Sequence, residues 1–348
     1  MDKVSETLKN LHMEGRPKPN PVQGQSRTAT EAPGSFYGGS IGKLRDINAP
    51  AFINKQGLPS TGREEAILGC TAAGQWAKDK NSIEPARHIF NEFSLSNRVG
   101  VVTGAAGGLG LEMALALVEA GATIYCVDLA PEETDTFKEA RDYAAAFGGK
   151  MHYMSGNVTD QGKMRSVFAE IVSREHRLDV CVAAAGILSS SPLLDADLDI
   201  FSKVMNVNVN GVFITASECA RQMKELGLPG SIVLIASMSG SITNRGEPWT
   251  AYNASKAACV QMARSMACEL GPLGIRVCSL SPGHIRTNLV SKFLDSNPDQ
   301  EEKWADLNPL HRIGKLHEVR GACVWLASDA SSYVTGSDIF VDGGHHAW

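Results

Sequence analysis

Arg98-Val99-Gly100-Val101-Val102-Thr103-Gly104-Ala105-Ala106-Gly107-Gly108-Leu109-Gly110 is the stretch that decides the fold. Arg98 to Thr103 is a short apolar run of strand length, and Leu109 to Ala120 continues with helix-forming residues. Between them the glycines allow the backbone to approach a pyrophosphate. The helix that follows presents unpaired N–H groups and the positive end of its dipole. A glycine-rich turn alone is usually only a turn; a position between strand and helix makes it a nucleotide-binding candidate, with Gly104, Gly108, Leu109 and Gly110 as the contact residues.

The same alternation continues downstream. Thr123 to Asp128, Met151 to Ser155, Val180 to Ala183, Ser231 to Ala236, Val277 to Ser281 and Ile339 to Val341 read as further strands. Helical stretches lie between them at Pro131 to Phe147, Met164 to Glu175, Leu198 to Glu225, Ala251 to Leu270 and Glu318 to Leu326. Alternating strands and helices predict an α/β fold, a single doubly wound Rossmann domain over residues 93–348. Residues 1–92 read as a largely irregular N-terminal extension. Arg16-Pro17-Lys18-Pro19-Asn20-Pro21 opposes regular structure, while Trp76, Ile89, Phe90 and Phe93 suit one or two short helices packed on the main body.

Composition narrows the function. With 348 residues, 43% of them hydrophobic, the chain can bury a large core, and its net charge of -5 offers no basic footprint for nucleic acid. No apolar run approaches the roughly 20 residues of a membrane span. The eight cysteines show neither CxxC spacing nor any other metal-ligand pattern, so they read as reduced core residues and no metal is expected. The N-terminus lacks a secretory apolar segment and carries Asp2, Glu6 and Glu14, which favours the cytoplasm and leaves an organelle open.

Asp128 ends the second strand where a ribose-binding carboxylate belongs. It should accept hydrogen bonds from a 2'-hydroxyl and repel a 2'-phosphate, so NAD(H) is preferred, with NADP(H) still open. Further on, Tyr252-Asn253-Ala254-Ser255-Lys256 places a phenol and an ammonium four residues apart, on one face of a helix. An ordinary tyrosine is almost wholly protonated at neutral pH. An ammonium roughly 4 Å away, at an effective dielectric near 20, favours a phenolate by about 4 kcal/mol before desolvation is subtracted. Such a phenol can exchange a proton with an alcohol or carbonyl.

With the glycine turn, Asp128 and the Tyr252/Lys256 pair in this order, the chain resembles the short-chain dehydrogenase/reductase family over about residues 93–348. The resemblance implies a seven-stranded parallel Rossmann sheet and a homodimer or homotetramer. It implies catalytic roles for Tyr252, Lys256, Asn208 in Val207-Asn208-Val209-Asn210-Gly211, and Ser237 in Ser237-Met238-Ser239-Gly240. Asn206 and Ser239 are the alternatives, Ser239 because the usual serine-to-tyrosine spacing selects it. Tyr252 and Lys256 are also implied cofactor contacts. So are Pro282, Gly283, Ile285 and Thr287 of Pro282-Gly283-His284-Ile285-Arg286-Thr287, which resembles the segment that grips the nicotinamide carboxamide. Two departures stand out. Ala183-Ala184-Ala185-Gly186 replaces the usual Asn-Asn-Ala-Gly, leaving Gly186 beside the ribose, and Asn157-Val158 replaces Asp-Val at the adenine.

The implied activity is NAD(H)-dependent interconversion of a secondary alcohol and its ketone, with similarity to the fungal polyol dehydrogenase and ketose reductase branch. A redox-neutral cyclase or epimerase and a non-catalytic nucleotide-binding scaffold are the alternatives. The segment between Asn288 and Arg312, with Trp304 and His311, reads as the pocket lid, while His284, Glu247 and Trp249 fall on loops beside the expected site; each reads as a packing or surface residue before a substrate contact.

Overall fold

The computed structural model describes residues 68–348, so the proline-rich part of the N-terminal extension lies outside the described residues. Helices α1 (Gly69–Lys78) and α2 (Ile89–Glu92) come first, and neither buries a residue. The two short helices are present, but the apolar side chains expected to pack them are exposed: Trp76, Ile89 and Phe90 face solvent. The regular alternation begins at β1 (Val99–Thr103) and α3 (Gly108–Glu119). It proceeds through β2 (Thr123–Asp128), α4 (Asp135–Ala146), β3 (Lys150–Ser155), α5 (Gln161–Glu175) and β4 (Val180–Ala183).

A rod of helix follows, α6 (Leu198–Met205) and α7 (Val212–Leu226), joined by a π-helical turn over Asn206–Gly211. The single helix expected over Leu198 to Glu225 is therefore interrupted. The cause is tertiary: the side chain of Asn208, inside the π turn, is held by groups from outside the rod. The chain continues with β5 (Gly230–Ile235), α8 (Thr250–Leu270) and β6 (Ile275–Pro282).

After β6 come β7 (Ile285–Arg286), α9 (Asn288–Ser296), α10 (Pro298–Asp306) and β8 (Gly314–Lys315), then α11 (Arg320–Ala327) and β9 (Asp338–Val341). The main sheet has seven strands in the order β3-β2-β1-β4-β5-β6-β9, every neighbouring pair parallel. Its centre is buried on both faces, which is why β1 and β4 read as continuous apolar runs rather than alternating ones. Val101, Phe168, Met223 and Cys259 belong to one core with α5, α7 and α8. Val102, Leu117, Phe137 and Cys323 belong to the other, with α3, α4 and α11.

Strand order reverses between β1 and β4, and a doubly wound sheet binds its ligands in the crevice at such a switch point, beyond the carboxyl ends of the strands. The turns that leave β1, β2, β4, β5 and β6 all sit at that end. β7 and β8 pair in a separate two-residue parallel ladder, Ile285 with Gly314 and Arg286 with Lys315, closing the base of the α9–α10 excursion. Among the described residues no helix is long and apolar enough to cross a membrane.

Candidate active site

The nucleotide end is built from backbone. Gly104 and Gly108 have φ of +67° and +57°, a conformation that side chains other than glycine rarely adopt. A Cβ on Gly104 would lie 2.7 Å from the Cα of Ala185, and one on Gly110 would overlap the carbonyl oxygen of Gly104. The turn is thus as tight as its sequence implied. Gly107 caps α3 in an extended conformation without any side-chain cap, so the first N–H groups of the helix remain available to an anion.

Asp128 lies beside this turn. Its Oδ2 accepts the Ala106 N–H at 2.9 Å and its Oδ1 the Leu129 N–H at 2.7 Å, fixing the carboxylate at the end of β2. The N–H groups of Ala184 and Ala185 donate to the buried Thr103 hydroxyl at 3.2 and 3.3 Å. One β1 side chain thereby secures the β4 turn where the expected asparagines are missing. Asn157 is exposed and its Oδ1 accepts from the Thr159 N–H and hydroxyl, while Val158 is buried against the π turn. This cradle, with its open helix terminus and fixed carboxylate, fits a dinucleotide.

At the other end, Tyr252 and Lys256 share a face of α8. The buried Lys256 ammonium donates to the Ile235 carbonyl at 2.8 Å and stands 5.6 Å from the centre of the Tyr252 ring. Asn208 is fully buried; its Oδ1 accepts the Ile187 N–H at 2.8 Å, and its Nδ2 donates to the Ile187 carbonyl and the Ser255 hydroxyl, both at 2.9 Å. Ser255 in turn donates to the Tyr252 carbonyl at 2.7 Å. Asn206 instead accepts from Asn210 on an exposed face, so Asn208 is the asparagine that reaches the site. A Cβ on Gly186 would sit 3.3 Å from Asn208 Oδ1 and 3.5 Å from Lys256 Nζ, which puts all three together. Ser255 was not singled out from sequence, because a serine inside a helix carries no local signal of such a link.

Ser237 and Ser239 are both buried and hydrogen-bonded to each other, Oγ to Oγ at 3.1 Å, and both line the same cavity. The structure therefore presents a serine pair. Gly240 explains the spacing of this segment: a Cβ there would lie 2.6 Å from the carbonyl carbon of Lys256, so only glycine lets α8 approach the serine loop. Gly240→Ala should cost about 1–3 kcal/mol through forced displacement of α8. It should also lower activity by spreading the serines from Tyr252. Urea unfolding and steady-state rates check both effects.

The cavity, about 460 Å³, is lined by Leu109, Ser237, Ser239, Tyr252, Gly283, Ile285 and Thr287 of the expected set. Thr287 also accepts the Val290 N–H at 3.2 Å and caps α9. Glu247, Trp249, His284 and Trp304, expected as packing or surface residues, line it too. His284 stacks on the Trp304 indole with ring centres 4.3 Å apart, and Trp249 meets both rings edge-on. His311 is exposed and lies in a separate surface depression.

Burial drives the His284 imidazole down from its ordinary 6.5 to about 3, with the neighbouring His345 acting in the same direction. It is therefore neutral at physiological pH. The unfolded chain binds this proton near pH 6.5 while the folded one binds it only near 3. His284 thus withdraws stability as pH falls through that window, by at most about 1.4 kcal/mol per pH unit. Denaturant unfolding at pH 7.5, 6 and 5 should show this slope, reduced in His284→Phe, which preserves the stack.

A family model described as enoyl-(acyl carrier protein) reductase matches residues 104–346. Sorbose reductase of Schizosaccharomyces pombe is 38% identical over 259 residues, 73% of this chain and 97% of that protein. An NADP-dependent mannitol dehydrogenase of Hypocrea jecorina is 35% identical over 265 residues, 76% of this chain and 97% of that protein. The crystal structure of a short-chain type dehydrogenase/reductase from Mycobacterium marinum superposes with a TM-score of 0.67 at 37% identity, covering 74% of this chain and 98% of that one. The chain belongs to the short-chain dehydrogenase/reductase family and is an alcohol/ketone oxidoreductase.

Proposed function

We propose that the chain interconverts a secondary alcohol and its ketone with NAD(H), through proton exchange at the Tyr252 hydroxyl. The observation that carries this is the convergence of Tyr252 with the Ser237–Ser239 pair on one cavity, backed by a buried ammonium. The nicotinamide, once bound, supplies or takes up the hydride. Gly104, Gly108, Leu109 and Gly110 would hold the pyrophosphate, and Asp128, Asn157, Val158 and Gly186 the adenosine half. Pro282, Gly283, Ile285 and Thr287 would hold the nicotinamide half.

In the oxidation direction Tyr252 removes the alcohol proton, and in reduction it returns one. Lys256, fixed by the Ile235 carbonyl, stabilises negative charge on the phenol oxygen and would meet the nicotinamide ribose. Ser237 hydrogen-bonds the reacting oxygen while Ser239 orients its hydroxyl. Asn208 positions the tyrosine through Ser255 and leads the proton path toward solvent.

The fixed carboxylate of Asp128 supports NAD(H) over NADP(H), although the related mannitol dehydrogenase is named as NADP-dependent. Leu194, Leu198 and Phe213 stand exposed, which supports burial between copies in a homodimer or homotetramer. Six buried free cysteines suit a reducing compartment such as the cytoplasm. The reading is tested by following nicotinamide absorbance with purified protein, NADH or NADPH, and a panel of ketones. No oxidation of either cofactor across the panel would count against it.

A further inference from the structure

We propose that the substrate is a ketone or secondary alcohol whose apolar body carries a positively charged nitrogen, and that Glu247 recognises that charge. The assignment deepens the oxidoreductase reading of the same cavity and rests on it for the reacting end. Glu247 sits on the loop between Gly240 and α8, half-buried in the cavity wall. Its Oε1 accepts two hydrogen bonds from α10, one from Trp304 Nε1 and one from Gln300 Nε2, each at 3.0 Å. The carboxylate is thus pinned over the cavity instead of turning to solvent.

Both of those donors are neutral. Among the described residues Glu247 forms no salt bridge, and no lysine or arginine lines the cavity. Arg245, two residues away, is exposed and makes no ion pair with it. His284, also in the lining, is stacked on Trp304 and neutral. A carboxylate held in a largely apolar enclosure without a counter-ion is complementary to a cation that arrives with the ligand. The indole of Trp249, also in the lining, favours the same partner through its electron-rich ring.

The walls argue against a polyol. Away from the serine–tyrosine end the lining is Leu109, Leu188, Met238, Val290 and the two tryptophans, with Ser190, His284, Thr287 and Glu247 as the polar side chains. A hexitol brings five hydroxyls besides the reacting one, and each that is buried without a partner opposes binding. A compact apolar body with one charged nitrogen needs one strong partner at the far end, and Glu247 is placed there.

The test uses the full chain and three ketones: the N,N-dimethyl-4-piperidonium cation, its uncharged isostere 4,4-dimethylcyclohexanone, and fructose. Binding is measured by calorimetry and turnover by nicotinamide absorbance. The cation should bind at least about 30-fold more tightly than the isostere, and Glu247→Gln should abolish that ratio. Equal binding of cation and isostere, tighter binding of fructose, or an unchanged ratio in Glu247→Gln would overturn the assignment. Glu247-dependent binding of the cation with no turnover of any ketone would keep Glu247 as the charge-recognising group but overturn the cation as a substrate, and with it the proposed Tyr252 chemistry in this cavity. The two failures are therefore distinguishable.

Discussion

Tyr252→Phe should lower kcat by about 10³-fold, within the range that a positioned acid–base group contributes, while leaving cofactor binding near normal. The structure explains why the two effects separate. Among the described residues Lys256 donates its hydrogen bond to the Ile235 carbonyl and not to the phenol, so removing one oxygen leaves the ammonium where it is. The ring keeps its edge contact with Trp249 at 6.2 Å, and Ser255 still bonds the carbonyl of residue 252. The loss should therefore be in chemistry, not folding. Steady-state kinetics together with NADH fluorescence titration make the comparison, and near-wild-type turnover would remove Tyr252 from the proton path.

Asp128→Asn should change the NAD:NADP ratio of kcat/KM by about 10²–10³ in favour of NADP. A full negative charge roughly 4 Å from a phosphate, at an effective dielectric near 20, costs about 4 kcal/mol, and solvent screening at a strand end trims this. The substitution also removes one acceptor from the pair that holds Ala106 and Leu129. Some loss with NAD should accompany the gain with NADP. Paired assays with both cofactors at two salt concentrations would separate the charge effect, which salt weakens, from the lost hydrogen bond, which it does not. A wild-type protein that already prefers NADP(H), unaffected by the substitution, would refute the role given to Asp128.

How far the molecule was legible in its residues depends on the range of the interaction. Thr123–Asp128 and Val180–Ala183 could be delimited directly because buried parallel strands are apolar on both faces, so their ends coincide with the ends of the runs. The glycine turn was equally plain, since sterics within a few residues demand it. The break at Asn206–Gly211 was not, because Val and Asn at those positions are compatible with a continuous helix. What opens the turn is Ile187 and Ser255, 21 and 47 residues from Asn208.

The cavity wall was hidden for the same reason. Glu247 and Trp304 are 57 residues apart and read as unrelated loop residues until α10 folds over the site. Thr103 shows the converse. Two asparagines are absent from Ala183-Ala184-Ala185-Gly186, yet the backbone they would have served is held by a hydroxyl from another strand. A missing motif residue reveals a missing atom, not a missing interaction.

The π-helical turn between α6 and α7 makes residue count matter there as well as residue identity. A π-helical turn takes in one residue more than the α-helical turn it replaces, so deleting one position between Asn206 and Gly211 would restore regular winding and leave the two halves of the rod close to their present orientation. The widened turn that presents Asn208 to Ile187 and Ser255 would close, although every side chain elsewhere was unchanged. Identity counts at two of its positions, Asn208 for these bonds and Gly211 because a Cβ there would lie 2.7 Å from the Val158 side chain.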